Sequence, residues 1–276
     1  MSNSISVESN SKYFSDDSGI LSLMYHRFNE NKYPSTNIRM GVFKEQIQII
    51  NDLNYTFYDP KNFVSQFDVP KNKKKILITI DDGFKSFYKE AWPYLKENKI
   101  PFILFVSTEP VGRNGYMDWN EIKEIEKFEF AFIGHHSHTH EYLIDMNDSN
   151  FIDDIEVASK IFKDKLGYVP EIFSYPFGEY SKYMKEYISK NFKVAFGQHS
   201  GVIDVNKDKF ELPRFPINEK YGELKRFNSI MNYFPLEYKE LLPLEKQLSK
   251  STNPPKFIVK FFKEQKNLKN INCYSN

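Results

Sequence analysis

Four of the chain's six histidines crowd into one stretch, Gly134-His135-His136-Ser137-His138-Thr139-His140. The run follows an apolar segment and is interleaved with small hydroxyl residues, a pattern that packing does not explain. Imidazole is the commonest neutral metal ligand, and pairs three and four residues apart can bring two rings onto one ion. A second chemically suggestive stretch is Asp81-Asp82-Gly83, which stops the run Ile76-Leu77-Ile78-Thr79-Ile80. Adjacent carboxylates repel unless a cation or a shared proton offsets the cost. A third is His26, at the end of Ile20-Leu21-Ser22-Leu23-Met24-Tyr25. A divalent ion would relieve the aspartates and take its other ligands from the histidine run. Two histidines and one carboxylate leave coordination positions open for water and substrate. Such an ion lowers the pKa of water from about 15.7 towards about 7 and polarises a carbonyl. The second carboxylate then stays free to take the proton, a division of labour that points to hydrolysis of an ester or amide.

These groups must be held by something, and the pattern around them indicates what. Besides the two runs above, short apolar stretches occur at residues 102–106, 130–133, 172–175 and 194–196 and near Phe215. Between them lie segments of helical period. Phe151, Ile155, Ala158 and Phe162 form one stripe, with Gly167 as its stop. Asp118 with Glu121 resembles a capping pair that opens a helix burying Ile122 and Ile125. Residues 85–98 are helical in pattern but must start late or kink at Pro93. Apolar strands alternating with helices predict an α/β fold on a mostly parallel sheet covered on both faces. Periodicity does not decide between a barrel and an open sheet. In such folds functional groups gather where strands end, and His26, Asp81-Asp82 and the histidine run all sit at strand ends.

A chain of 276 residues, 40% apolar and 17% aromatic, can bury a sizeable core. Its 38 Lys and Arg balance 37 Asp and Glu, so a net charge of +1 predicts no general attraction to nucleic acid or anionic membrane. The lysine-rich run at residues 71–75 reads as a solvated approach to a strand. The single Cys273 excludes an internal disulfide and a structural thiolate site. Residues 1–18, rich in Ser, Asn and Asp, read as a mobile tail without a secretory signal. No segment approaches the roughly 20 apolar residues of a membrane span, and the expected location is cytoplasmic. The expected organisation is a catalytic domain over residues 19–233 and a proline-bearing extension over residues 234–276 that wraps it.

The motifs resemble those of the polysaccharide deacetylases, carbohydrate esterase family 4 with its nodulation-type deacetylase domain. Thr79-Ile80-Asp81-Asp82-Gly83-Phe84 looks like the family's first motif, Gly134 to His140 like its second, and Phe173-Ser174-Tyr175-Pro176-Phe177-Gly178 like its third. They occur in the family's order, over residues 20 to 230. The resemblance implies a distorted (β/α) barrel of about seven parallel strands. It also implies removal of N-acetyl groups from N-acetylglucosamine-containing oligo- or polysaccharide. Asp82, His136 and His140 would be the metal ligands and Asp81 the general base, with zinc the expected ion and cobalt or nickel as alternatives. His135 and His138 fall at variable positions, outside the ligand set.

Where the family commonly has an arginine that orients the base, this chain has Ser174. The Tyr-Pro-aromatic-Gly form of the motif, and the strand ending in Tyr25-His26, resemble the biofilm poly-N-acetylglucosamine deacetylases, which are similar to a circularly permuted form of the barrel. That subgroup implies His26 as the acid that protonates the leaving amine, with His199 as the competing candidate. Arg214 is a candidate replacement for the motif arginine. The backbone N–H of Phe177 is a candidate oxyanion donor, and Tyr175, Phe177, Trp119 and Tyr116 are candidates to stack on sugar rings. Two other readings stay open: a carbohydrate-binding protein that kept the fold without activity, and a metal-dependent amidase of a small non-sugar amide. An envelope glycan as substrate would require another export route or a longer N-terminus. Oligomeric state is not readable from the sequence.

Overall fold

The β-branched and aromatic runs form seven parallel strands: β1 (Ile20–Tyr25), β2 (Lys75–Ile80), β3 (Phe102–Val106), β4 (Ala131–His135), β5 (Ile172–Ser174), β6 (Val194–Phe196) and β7 (Phe215–Pro216). In the computed structural model their order is β7-β1-β2-β3-β4-β5-β6, and every neighbouring pair is parallel. Together they make a half-barrel. The structure describes residues 18–65, 67, 69, 73–204, 207–236, 238–242 and 256–261. Strand β1 is buried along its whole length, as a strand covered on both faces must be.

The two edges of the half-barrel are linked by the chain that joins β6 to β7. The Leu212 N–H donates to the Ala195 carbonyl at 2.8 Å and accepts through its own carbonyl from Gly197 at 2.9 Å. Ile203 pairs with Ile20 by two hydrogen bonds of 2.9 Å, one in each direction. This segment delivers Arg214 to the mouth of the sheet.

Seven α-helices are described: α1 (Met40–Asp52), α2 (Lys61–Ser65), α3 (Trp92–Asn98), α4 (Trp119–Glu126), α5 (Asp148–Leu166), α6 (Lys182–Asn191) and α7 (Leu224–Met231). The stripe of α5 is buried as its spacing predicts, and Gly167 stops the helix at φ 87°, a conformation that costs glycine little. Asp118 and Glu121 close a reciprocal capping box on α4. Pro93 sits in the first turn of α3, where its missing N–H leaves no bond unmade, and the preceding turn, Phe87–Ala91, is a π-helix.

The lysine-rich run departs from expectation. Lys74 is fully buried. Its Nζ donates to the Met231 carbonyl at 2.8 Å and lies 4.0 Å from the Phe234 ring centre. A carbonyl and an aromatic face replace the water that the composition of the run suggested.

The chain divides into two compact units, Met1–Phe234 and Pro235–Asn276. In the second, Glu240–Leu242 pairs antiparallel with Ile258–Lys260. Residues 1–17 of the expected tail, and Cys273, lie outside the described residues. Ser18 is buried. Among the described residues no helix is long and apolar enough to cross a membrane.

Candidate active site

Strand β2 delivers both aspartates. Asp81 continues the ladder, its N–H donating to the Tyr25 carbonyl at 2.9 Å. The chain then turns sharply, because Asp82 and Gly83 adopt left-handed conformations at φ 74° and 77°. Aspartate tolerates that region better than most side chains, and glycine does so freely. The turn sends the two carboxylates to different partners.

Asp81 meets a cation. Arg214 Nη1 donates to Asp81 Oδ1 at 2.6 Å and Nη2 to Oδ2 at 2.8 Å, a bidentate pair in which both residues are fully buried. The guanidinium is itself fixed by the Gly197 carbonyl at 2.9 Å, Ser174 Oγ at 2.8 Å and Thr79 Oγ1 at 3.2 Å. Burial pushes the Asp81 carboxyl up, but Arg214 first, and His136 after it, outweigh that and hold it below the usual carboxylate range.

Asp82 meets imidazoles. Its Oδ1 lies 3.3 Å from His136 Nε2 and 3.0 Å from His140 Nε2. Ligand atoms of the three residues all fall within 4.8 Å of one another, and no other such group occurs among the described residues. Burial raises the Asp82 carboxyl, yet the two imidazoles bring it well below its ordinary range. For His140, burial pushes down and Asp82 pushes up, with a net rise.

The ligand set is aimed by its surroundings. His136 Nδ1 bonds the Ser174 carbonyl at 2.7 Å, which directs the Nε2 lone pair towards Asp82. Ser107 Oγ donates to the His136 carbonyl at 2.6 Å. Ser137 and His140 both take left-handed backbone, at φ 67° and 59°, and Ser137 Oγ accepts from the His140 N–H at 3.2 Å. Gly134 leaves room for a ring, since a Cβ there would meet Phe105 at 2.4 Å.

Asp82 Oδ1 and His136 Nε2 are both buried and neither makes a hydrogen bond. Two electron-rich atoms converging without a proton between them are what a cation relieves, so the residues fit a divalent metal.

One functional residue escaped the sequence reading. Asp154, buried on the apolar stripe of α5, accepts from the His138 N–H at 2.8 Å, the Thr139 N–H at 3.0 Å and Thr139 Oγ1 at 2.7 Å. It ties down the loop between the two histidine ligands. Its signal was a carboxylate three residues after Phe151 on a face that otherwise buries apolar groups.

His26 follows β1 directly, and Tyr25 pairs with Ile80 in register, which brings His26 alongside Asp81. Burial lowers its pKa, and the charges of Asp82 and Asp81 oppose that. His199 is exposed; its carbonyl accepts the Arg214 N–H at 2.9 Å. His135 lies outside the ligand set, fully buried with its ring 5.1–5.4 Å from those of Phe162, Phe173 and Phe192. His138 Nδ1 bonds Thr108 Oγ1 at 2.8 Å.

Among the aromatics, Phe177 is exposed, stacks on Tyr142 at 3.8 Å and lies edge-on to His140 at 4.9 Å. Tyr175 corrects the expectation of a sugar-stacking ring. It is fully buried and stacks on Tyr180 at 4.4 Å, because β5 turns it into the core with α6. Trp119 likewise packs inward, edge-on to Phe162 at 5.9 Å, as the first residue of α4. Tyr116 packs on Phe84 at 4.9 Å. Burial, and then the carboxylate of Asp82, raises its phenol.

Residues 68–194 match the sequence profile of the polysaccharide deacetylase family. The chain therefore carries a polysaccharide deacetylase domain. The poly-beta-1,6-N-acetyl-D-glucosamine N-deacetylase of Staphylococcus epidermidis is 25% identical over 240 residues, 76% of this chain and 83% of the relative. YxkH of Bacillus subtilis is 24% identical over 162 residues, and the match spans 58% of this chain and 57% of YxkH. Among solved structures, the Streptococcus pyogenes deacetylase PplD in complex with acetate aligns with a TM-score of 0.69 at 20% identity, covering 78% of this chain and 99% of that one. IcaB from Ammonifex degensii aligns at 0.68 and 22% identity, covering 78% and 98%. These likenesses place the half-barrel in the deacetylase fold.

Proposed function

We propose that the chain is a metal-dependent hydrolase that removes N-acetyl groups from an N-acetylglucosamine-containing oligo- or polysaccharide. The observation that carries this reading is the adjacency of two differently partnered aspartates. Asp82 converges with His136 and His140 on one point, and Asp81, next in the chain, is held ionised by Arg214. A binding protein has no need of a buried, arginine-clamped base beside a ligand triangle. Family membership and the named activity of the staphylococcal relatives support the same substrate class.

Asp82, His136 and His140 hold the ion, with zinc the first candidate for a set of two histidines and one carboxylate. A divalent ion bound there supplies Lewis acidity, polarising the acetamide carbonyl and acidifying water. Asp81 removes the proton of the attacking water. Arg214 occupies one lone pair on each of its oxygens and leaves the others for that proton. Arg214 also keeps the base fixed, so attack needs little rearrangement. The Phe177 N–H donates to the oxyanion of the tetrahedral intermediate. His26 gives its proton to the amide nitrogen as the C–N bond breaks, releasing acetate and the free amine. The exposed pair of Phe177 and Tyr142 beside His140 offers a flat apolar face to a sugar ring.

The test is metal content and acetate release from N-acetylglucosamine oligomers for wild type, Asp81→Asn and His136→Ala. Asp81→Asn is expected to keep metal and lose activity, and His136→Ala to lose both. Wild-type acetate release by Asp81→Asn would overturn the assignment of the base.

A further inference from the structure

Beside the aspartate turn lies an open cleft of about 610 Å³, lined by Arg27, Tyr33, Lys85, Asn114 and Tyr116 among others. It adjoins the reaction centre through the chain itself. Arg27 follows His26, and Phe84, which bridges to Tyr116, follows Asp82-Gly83. The Arg27 guanidinium lies 3.4 Å from the Phe84 ring centre and 4.5 Å from that of Tyr33, so rings and cation form one continuous wall.

Tyr33 is the unusual member. It is 55% exposed and has φ 61°, a conformation that strains a bulky side chain and points to function when the surroundings enforce it. Here they do. Its carbonyl accepts from the Thr36 and Asn37 N–H groups, each at 2.9 Å. Asn37, fully buried, donates to the Glu30 carbonyl at 3.0 Å and to Glu219 at 2.6 Å. Asn218 holds the Ser35 carbonyl at 2.8 Å. The loop thus presents an aromatic face in a fixed place, without the ordering cost of a mobile one. The cations on the wall are already neutralised, Arg27 by Glu30 and Lys85 by Glu121. A wall of aromatic faces with paired charges suits an uncharged, hydroxyl-rich ring better than an anion.

We propose that this cleft is a binding subsite for an uncharged sugar ring next to the one being deacetylated, with Tyr33 as its stacking platform. The inference rests on the deacetylase reading above and deepens it, since it makes an oligosaccharide, not an isolated sugar, the preferred substrate.

The test compares kcat/KM for acetate release from N-acetylglucosamine and from its pentamer. Wild type is expected to favour the pentamer. Tyr33→Ala is expected to lose about tenfold on the pentamer, the worth of one aromatic stack, with the monosaccharide rate unchanged. Tyr33→Phe is expected to behave as wild type. Activity that does not depend on length, or an equal loss on both substrates, would overturn the subsite and leave the deacetylase reading standing. Pentamer binding is measured in parallel in Asp81→Asn, with and without Tyr33→Ala. Binding that depends on Tyr33, in a protein whose wild type releases no acetate, would keep the sugar subsite and sink the deacetylase reading. Binding that ignores Tyr33 would overturn the subsite.

Discussion

Ser174 and Arg214, 40 residues apart, share a hydrogen bond of 2.8 Å from Nη2 to Oγ deep in the sheet. The bond accounts for the departure of the third motif. Where the resemblance places an arginine, this chain has a small hydroxyl, and a guanidinium arriving from the other edge of the half-barrel uses the space. The base is therefore clamped from β7, not from β5.

Replacing that clamp should cost both folding and catalysis. In Arg214→Met, Asp81 keeps its burial and loses its counter-ion. Breaking a buried pair costs about 3–5 kcal/mol, and loss of an effective base about a hundredfold in kcat/KM. The sign of the pH effect follows. Burial raises the Asp81 pKa and Arg214 offsets it, so the acidic limb of the kcat/KM profile should move to higher pH. A limb that stays in place would show that the guanidinium does not set the ionisation of the base.

The acid can be identified by leaving group. His26→Ala should lower acetate release from an N-acetyl sugar by about 10²–10⁴, because an amine must be protonated as it leaves. An aryl acetate, whose phenolate leaves unaided, should be hydrolysed by this variant at nearly the wild-type rate. His199→Ala should be near wild type on both substrates. The reverse pattern between the two variants would move the acid to His199.

Much of this arrangement was legible in the residues, and the limits are physical. Strands read well because Ile76–Ile80 and Phe102–Val106 are apolar on both faces, and α5 because its stripe and Gly167 agree. What local pattern could not show was partnership across the sheet. Arg214 and Asp81 are 133 residues apart, and no periodicity connects them. Lys74 looked solvated because its burial depends on Met231 and Phe234, far away in the chain. Tyr175 looked available because the strand-end position does not state which way the ring turns.

Asp154 offers a test of how the ligand loop is organised. In Asp154→Ala, two N–H groups and one hydroxyl lose their acceptor, and the loop between His136 and His140 loosens. Supporting groups of this kind are worth about 10–100-fold in metal affinity. Zinc Kd from competition with a chelator should weaken by that factor while strand content by circular dichroism is retained. An unchanged Kd would reduce Asp154 to a loop-packing residue.

His135 makes a prediction about stability instead of catalysis. Burial among three phenyl rings, then the neighbouring His136, lowers its pKa from the ordinary 6.5 to about 3. Its Nδ1 accepts the Ser137 N–H at 3.2 Å, so the folded state holds the neutral ring. Between about pH 6.5 and about pH 3 the unfolded chain takes up a proton that the folded chain refuses. Stability is therefore complete above about pH 6.5 and falls as the pH is lowered through that window, by at most about 1.4 kcal/mol per pH unit for one proton. His135→Gln, which keeps a hydrogen-bonding side chain without a titrating one, removes this contribution. Urea unfolding of the two metal-free proteins should show wild type losing its advantage as pH drops from about 7 to about 4, through that same interval. Parallel curves over the range would mean that His135 titrates in the folded state after all, and that its aromatic surroundings open readily to water.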